Sequence, residues 1–319
     1  MDGLDRRRAF AAMAGGALLL TRPAAAQIAS LEIFSVAAPG DGDDQLARAI
    51  AEGLNTTRLL PSAGPVSVPG DGGVKGLAQF VSGARPRPGL LVIGLGTLGQ
   101  LVLRKADESL DHCRPLALLV GESQPVVVAA KSPIRTLDDL LAAIRGDPER
   151  LRWAGRLRGG ADHQLALLTT MAAGGDPTRL NYVGGDERSE AAVMLLTGEA
   201  DVATGDLGDL SAQIRGGTLR ALALSSPSRS PHFDIPTFRE LGVDVTLINW
   251  RGAFARRSIE RGLISRVEEA LAALVRLEGW RQLSSQRYWL ELYEPADQFA
   301  ALVARERIRL KKLFADAKL

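Results

Sequence analysis

The chain has a single cysteine, Cys113, and three histidines, His112, His163 and His232, scattered along 319 residues. One thiol excludes an internal disulfide framework and any cysteine-based zinc site. The histidines form no H-E-x-x-H pair, and no G-x-S-x-G nucleophile turn occurs. Aromatic residues make up only 5%. After the first segment, no apolar run approaches the roughly 20 residues a membrane helix needs. Charge of one sign is also missing. The formal net charge is +2, and four arginines against two aspartates in residues 1–26 account for all of it. The remainder is formally neutral, which gives no electrostatic case for nucleic acid. The composition is that of a globular Ala/Leu/Val-rich chain.

The first segment reads as an export signal. Arg6, Arg7 and Arg8 precede the apolar run AFAAMAGGALLL, and PAAA precedes Gln27. The small-residue rule puts cleavage after Ala26. Arg7-Arg8-Ala9-Phe10 has the register of a twin-arginine signal, with an Arg-rich Sec signal as the alternative. The mature protein is expected to be soluble and periplasmic.

Downstream, short apolar runs alternate with helical patterns: LEIFSVAA with DDQLARAIAEGLN, GLLVIGL with LGQLVLRKA, and LRWAG with ADHQLALLTTMAAG. This alternation predicts an α/β chain of parallel sheet covered by helices. TLDDLLAAI begins with a Thr cap and early acids. A short helix is expected after the Pro/Ser-rich stretch SPSRSPHFDIPTFRELGV. Beyond Arg266, SRVEEALAALVRLEGWRQL reads as one helix, and PADQFAALVARERIRLKKLFADA as another with Pro295 in its first turn. No flexible linker separates sequential domains, so two lobes imply a chain that crosses between them more than once.

Three glycine-rich turns carry the candidate chemistry. Gly94-Leu95-Gly96-Thr97-Leu98-Gly99 matches G-x-G-x-x-G after a strand, and Glu122 lies at a plausible distance for a ribose-binding acid. That supports an alternative, a twin-arginine-exported NAD(P)-dependent oxidoreductase. However, this fingerprint normally opens its domain, and no acid/base set accompanies it. The other two turns echo each other. Gly40-Asp41-Gly42-Asp43-Asp44 and Gly159-Gly160-Ala161-Asp162 each end a strand and open a helix. A helix start presents free N–H groups and the positive end of its dipole, a ready place for an anion. Glycine there permits close backbone approach or a positive φ. Asp44 and Asp162 are expected to cap their helices. DGDDQLARAI begins like a calcium loop but runs straight into a helix, and no metal site is expected.

Here several segments together resemble a known family, the Bug-type solute-binding proteins of tripartite tricarboxylate transporters. PGDGDDQLAR is similar to their P-G-G-G-T-D-x-x-A-R turn, and VPGDGGVKG to P-G-A-G-G-N-x-G. WAGRLRGGADHQLA resembles G-G-S-A-G-G-T-D-H-x-x-A. LNYVGGDERSEAAVMLLTGEADVATGD and IPTFRELGVDVTLINWRGAFA track two later segments in the same order. The resemblance implies a type II periplasmic-binding-protein fold. Residues 27–123 and 246–319 would form lobe 1, residues 124–245 lobe 2, and the chain would cross near Gln124 and Thr246. It implies no enzyme, no cofactor, a monomer, and a small organic acid handed to a tripartite tricarboxylate-type permease or a sensor domain. A third reading, the effector-binding half of a transcription regulator, would need a DNA-binding domain where the signal stands.

The candidate ligand-binding residues are Ala38, Pro39, Gly40, Asp41, Gly42, Asp43 and Asp44 in the first turn, with Gly96 and Thr97 beside it. In the second turn they are Arg158, Gly159, Gly160, Ala161 and Asp162, with Gly205 and Asp206 at the end of ADVATGD. The departures from the family motif fall in these turns. Asp41 stands for a glycine and Asp43 for a threonine; Arg156 stands for a glycine, Leu157 for a serine, Arg158 for an alanine and Ala161 for a threonine. Either the pocket takes a different ligand, such as a zwitterion or a larger acid, or Asp41 and Arg158 pair across the cleft. Trp153 and Trp250 are expected in the core, and Cys113 as a plain buried thiol.

Overall fold

The computed structural model describes residues 31–60, 64–84, 87–184 and 190–319. The export signal and the cleavage site before Gln27 lie outside the described residues. The first half of lobe 1 runs β1 (Glu32–Ser35), α1 (Gly42–Thr57), β2 (Gly64–Ser67), α2 (Val74–Val81), β3 (Gly89–Gly94), α3 (Leu95–Leu103) and β4 (Cys113–Ser123). The second lobe runs β5 (Pro125–Ala129), α4 (Leu137–Gly146), β6 (Arg152–Gly155), α5 (Ala161–Ala172), β7 (Asn181–Gly184), α6 (Glu190–Thr197), β8 (Val202–Thr204), α7 (Leu207–Arg215) and β9 (Leu219–Leu224). The chain then returns to the first lobe with β10 (Ile248–Arg256), α8 (Arg261–Leu274), α9 (Glu278–Gln286), β11 (Trp289–Pro295) and α10 (Ala296–Asp316).

Two sheets result, one of six strands in the order β11-β4-β10-β3-β1-β2 and one of five in the order β7-β6-β8-β5-β9. The expectation of parallel sheet holds for β1 with β2 and β3 and for β6 with β7 and β8, and is corrected elsewhere. β10 runs antiparallel to both β3 and β4, and β5 runs antiparallel to both β8 and β9. The reason lies in the crossings. β5 follows β4 after one residue, with no helical crossover, and β10 re-enters the first sheet from the opposite side.

Strand alternation divides the first lobe's core between two faces. Ile33, Leu90 and Val92 point to one side, where Leu46, Ile50 and Leu54 of α1 meet Val267 and Leu271 of α8. Phe34, Leu91 and Ile93 point to the other, against Leu98 and Leu101 of α3 and Phe299 and Leu310 of α10. Sheets covered on both faces need near-continuous apolar strands, which is why GLLVIG is buried throughout. Trp153 and Trp250 are both core residues, and Cys113 is buried with its thiol pushed up to about 12 by desolvation.

Local signals fared unevenly. Thr136 does cap α4: its Oγ1 accepts from the Asp139 N–H while Asp139 accepts from the Thr136 N–H. The tail pattern beyond Arg266 breaks into α8 and α9 at residues 275–277, and Pro295 ends β11 as the N-cap of α10. The stretch after the Pro/Ser-rich loop is a turn over residues 238–242, not a helix. Among the described residues, no helix is long and apolar enough to cross a membrane.

Candidate functional site

The two crossings lie side by side and are tied by serines. Ser225 N–H donates to the Gln124 carbonyl at 2.9 Å, Gln124 N–H donates to Ser225 Oγ at 2.9 Å, and Ser225 Oγ donates to the Leu247 carbonyl at 2.6 Å. Ser123 and Ser226 share a hydroxyl hydrogen bond of 2.8 Å. From this base the two lobes face each other across a void of about 440 Å³. That size suits a small molecule.

Helices α1 and α5 both begin at this void. Of the residues singled out in the sequence, Ala38, Asp41, Gly42, Asp43, Gly96, Thr97, Gly160, Ala161 and Asp162 line it. First-turn N–H groups have no partner within their own helix, so two positive helix ends converge on one space. Pro39, Gly40, Asp44, Arg158, Gly159, Gly205 and Asp206 stand outside the lining. A further glycine turn, Pro69 to Gly73 in VPGDGGVKG, lines the void as well.

The capping expectation is corrected. The N-cap residues are Asp41 and Gly160, and neither caps through a side chain. Asp44 instead ties down the loop before its helix, accepting from Gly40 N–H at 2.7 Å and from Arg48 Nε at 2.8 Å, and from Ser67. Asp162 accepts from Arg156 N–H at 2.8 Å and from Gln124 Nε2 at 2.6 Å. Both acids shape their turns. The glycines also divide by role. Gly40 and Gly159 adopt φ of +90° and +85°, which favour glycine, whereas Gly42 and Gly160 have ordinary φ. At Gly42 a Cβ would lie 2.0 Å from Arg251 Nη2, so that glycine makes room for an arginine.

Arg251 and Arg156 are the residues that sequence reasoning missed as site members. Arg251, on β10, is buried in the cleft floor. Its Nε lies 3.2 Å from Asp43 and its Nη2 donates to Asp206 at 2.9 Å. Its Nη1 sits 2.9 Å from Glu122 Oε1 without hydrogen-bond alignment, and that oxygen accepts from Trp289 Nε1 at 2.7 Å. Arg156 reaches Asp206 at 2.5 Å and Asp162 at 3.4 Å. Asn249 also donates to Asp206, at 2.8 Å. Asp206 therefore joins the lobes. The signal available in sequence was Arg251 in the NWRG segment and Arg156 in place of a glycine. Arg158 turns away, its Nη2 donating to the Tyr182 carbonyl at 2.8 Å.

Burial decides the charge states. Desolvation raises Glu122 well above the ordinary carboxyl range, and the neighbouring Asp206 charge adds to it. Burial also raises Asp43 and Asp162, against the pull of Arg251 and Arg156 respectively. For Asp206 burial works the same way, but Arg156 and Arg251 outweigh it and hold the carboxyl far below the usual range. His163, in the first turn of α5, accepts from Gly159 N–H through Nδ1 at 2.9 Å, and burial pushes it down to about 3. It is a neutral acceptor that fixes the second turn.

The G-x-G-x-x-G stretch serves the same cleft. A Cβ at Gly94 would lie 2.5 Å from the Trp250 carbonyl, and one at Gly99 would lie 2.0 Å from the Gly159 carbonyl of the other lobe. Those glycines pack protein on protein, and Gly96 opens on the void. Among the described residues, no cluster of three or more His, Cys, Asp or Glu side chains is arranged to hold a metal ion.

The model of the tripartite tricarboxylate transporter family receptor matches residues 102–319. The chain belongs to this family. Among its relatives, BugT of Bordetella pertussis is 28% identical over 216 residues, covering 64% of this chain and 63% of BugT. The chain spans between about half and two thirds of the length of the curated relatives it matches, 52–63%. MatC of Rhodopseudomonas palustris with bound malate superposes with a TM-score of 0.74 at 22% identity, covering 89% of this chain and 98% of MatC. An R. palustris protein with adipate gives 0.75 at 17% identity, covering 91% and 97%. At those identities the likeness is one of fold. The two-lobed α/β architecture is that of periplasmic solute-binding receptors of this family.

Proposed function

We propose that this chain is an exported receptor that captures a small organic carboxylate between its lobes and presents it to a tripartite tricarboxylate-type permease or a sensor domain. The carrying observation is the convergence of the α1 and α5 starts on one 440 Å³ void. Helix-end dipoles supply a field for an anion even in a chain without net charge. Malate and adipate in two proteins of the same fold support this reading. Residues 27–123 with 246–319, and residues 124–245, act as two bodies that close by hinge motion at the serine-tied crossings. Delivery in the periplasm as a monomer, after twin-arginine export, belongs to the same proposal.

Thermal melts in the presence of mono-, di- and tricarboxylates test it. An acid at a hundred times its dissociation constant stabilises the bound form by about 2.7 kcal/mol. At least one carboxylate should raise the melting temperature by several degrees, and Gly160→Val should remove the shift. A panel without any shift would sink the receptor reading.

A further inference from the structure

The cations lining the void are already spoken for. Among the described lining residues they are Arg104, Arg156 and Arg251. Arg104 Nε pairs with Asp71 at 3.0 Å, and its Nη1 bonds Gln100. Arg156 holds Asp206 and Asp162, and Arg251 holds Asp43, Glu122 and Asp206. Thr97, the hydroxyl beside the first turn, donates to Asp43 Oδ2 at 2.6 Å.

Resting on the receptor reading above, we infer that the cleft selects a ligand with one carboxylate and no second anionic group, and that Asp43 sets this selection. Asp43 occupies the Arg251 edge and the Thr97 hydroxyl that would otherwise meet a second carboxylate. To reach a guanidinium of the cleft floor, a dicarboxylate must displace Asp43 from Arg251 or Asp162 from Arg156. Either displacement strands a buried carboxylate without its cation, the costly half of breaking a buried pair. Leaving the second carboxylate unpaired sets it beside Asp43, Asp162 and Asp71, where like charges repel. A single carboxylate avoids both penalties, because backbone N–H groups at the α1 and α5 starts can meet it. Much of the remaining wall carries no charge: Val36, Ala38, Pro69 and Leu157 suit an uncharged ligand body.

Calorimetric titration at pH 7 with two chain-matched pairs, hexanoate against adipate and butyrate against succinate, tests the inference. The unmodified protein should bind the monocarboxylate of each pair at least tenfold tighter. In Asp43→Thr, and independently in Asp43→Asn, that ratio should fall at least tenfold as Arg251 is freed. Equal or tighter binding of the dicarboxylates by the unmodified protein overturns the selection, and needs no variant to fold. An undiminished preference in a folded Asp43 variant overturns the assignment to Asp43. Absence of binding by every acid, mono and di alike, removes the receptor reading itself and the inference with it.

Discussion

The two walls of the cleft are built from the same parts and held in different ways. Each has a strand, a glycine turn, and a helix with a buried acid in its first turn. The first wall is anchored within its own lobe: Asp44 to Ser67 and Gly40, Asp43 to Thr97 and Arg251. The second wall is docked on the opposite lobe. The Arg158 carbonyl accepts from Gln100 Nε2 at 2.7 Å, and Gln164 of α5 accepts from Arg309 Nη2 of α10 at 2.8 Å. The first turn is thus held by its own lobe, and the second is held by contacts across the cleft. Each lobe sends an arginine to Asp206, Arg156 from the second turn and Arg251 from β10 in the cleft floor, so the contact between the lobes and the cleft charge meet at one carboxylate.

The two arginines provide the largest expected effect. Arg251→Met leaves Asp43 and Asp206 without their shared guanidinium in the buried floor, and losing one partner of a buried pair costs about 3–5 kcal/mol. The Arg156 side chain is 21% exposed against 4% for Arg251, so water can replace part of what Arg156 supplies. Arg156→Met should therefore cost about half as much. Denaturant unfolding of both variants measures the difference, and equal losses would mean that the walls are anchored alike.

An intermediate effect comes from pH at His163 in the second wall. The folded-state pKa of His163 is depressed to about 3 from an ordinary value near 6.5. Its contribution to stability is therefore present above pH 6.5 and is lost as the pH falls toward 3, because the unfolded chain takes the proton first. By pH 4 the loss from this group is about 3 kcal/mol. Asn at this position keeps an acceptor for Gly159 N–H but cannot titrate. Melting temperatures between pH 7 and pH 4 should fall more steeply for the unmodified protein than for His163→Asn. Parallel curves would show that the second turn does not depend on a neutral His163.

The halves of this comparison were not equally legible in the sequence. Strand–helix alternation, the two helix-opening turns and the Thr136 cap are local signals, and they were readable. The antiparallel course of β10 and β5 was not, because it depends on where the chain re-enters a sheet and not on any pattern within the strand. The roles of Asp44 and Asp162 were misread because a capping acid and an acid that ties the preceding loop look identical in sequence. Arg251 carried only the signal of its NWRG segment, since its partners Asp43, Glu122 and Asp206 are spread over 164 positions and meet only in the folded cleft. Arg156 carried a signal, a cation in place of a glycine, but the neighbouring Arg158 carried the same one. Only the turn's path distinguishes them: the Arg156 side chain goes into the cleft and the Arg158 side chain to the Tyr182 carbonyl.

The smallest expected effects separate two glycines of the first turn. Gly42 has an ordinary φ, but a Cβ there would lie 2.0 Å from Arg251 Nη2 and 2.2 Å from its Cζ. Gly42→Ala must shift that guanidinium, an overpacking cost of about 2 kcal/mol, and the shift disturbs the pairing of Asp43 next to the void. Gly40 is the converse case. A Cβ there meets nothing within 4 Å, but φ is +90°, so alanine pays in backbone conformation alone, about 1 kcal/mol. Gly40 also stands outside the void lining. Gly42→Ala should therefore weaken carboxylate binding together with stability, whereas Gly40→Ala should lower the melting temperature slightly and leave affinity within about threefold. Paired melts and titrations of the two variants decide this. A loss of affinity in Gly40→Ala matching that in Gly42→Ala would mean that the turn binds through its overall backbone shape, with no special part for the Gly42–Arg251 contact.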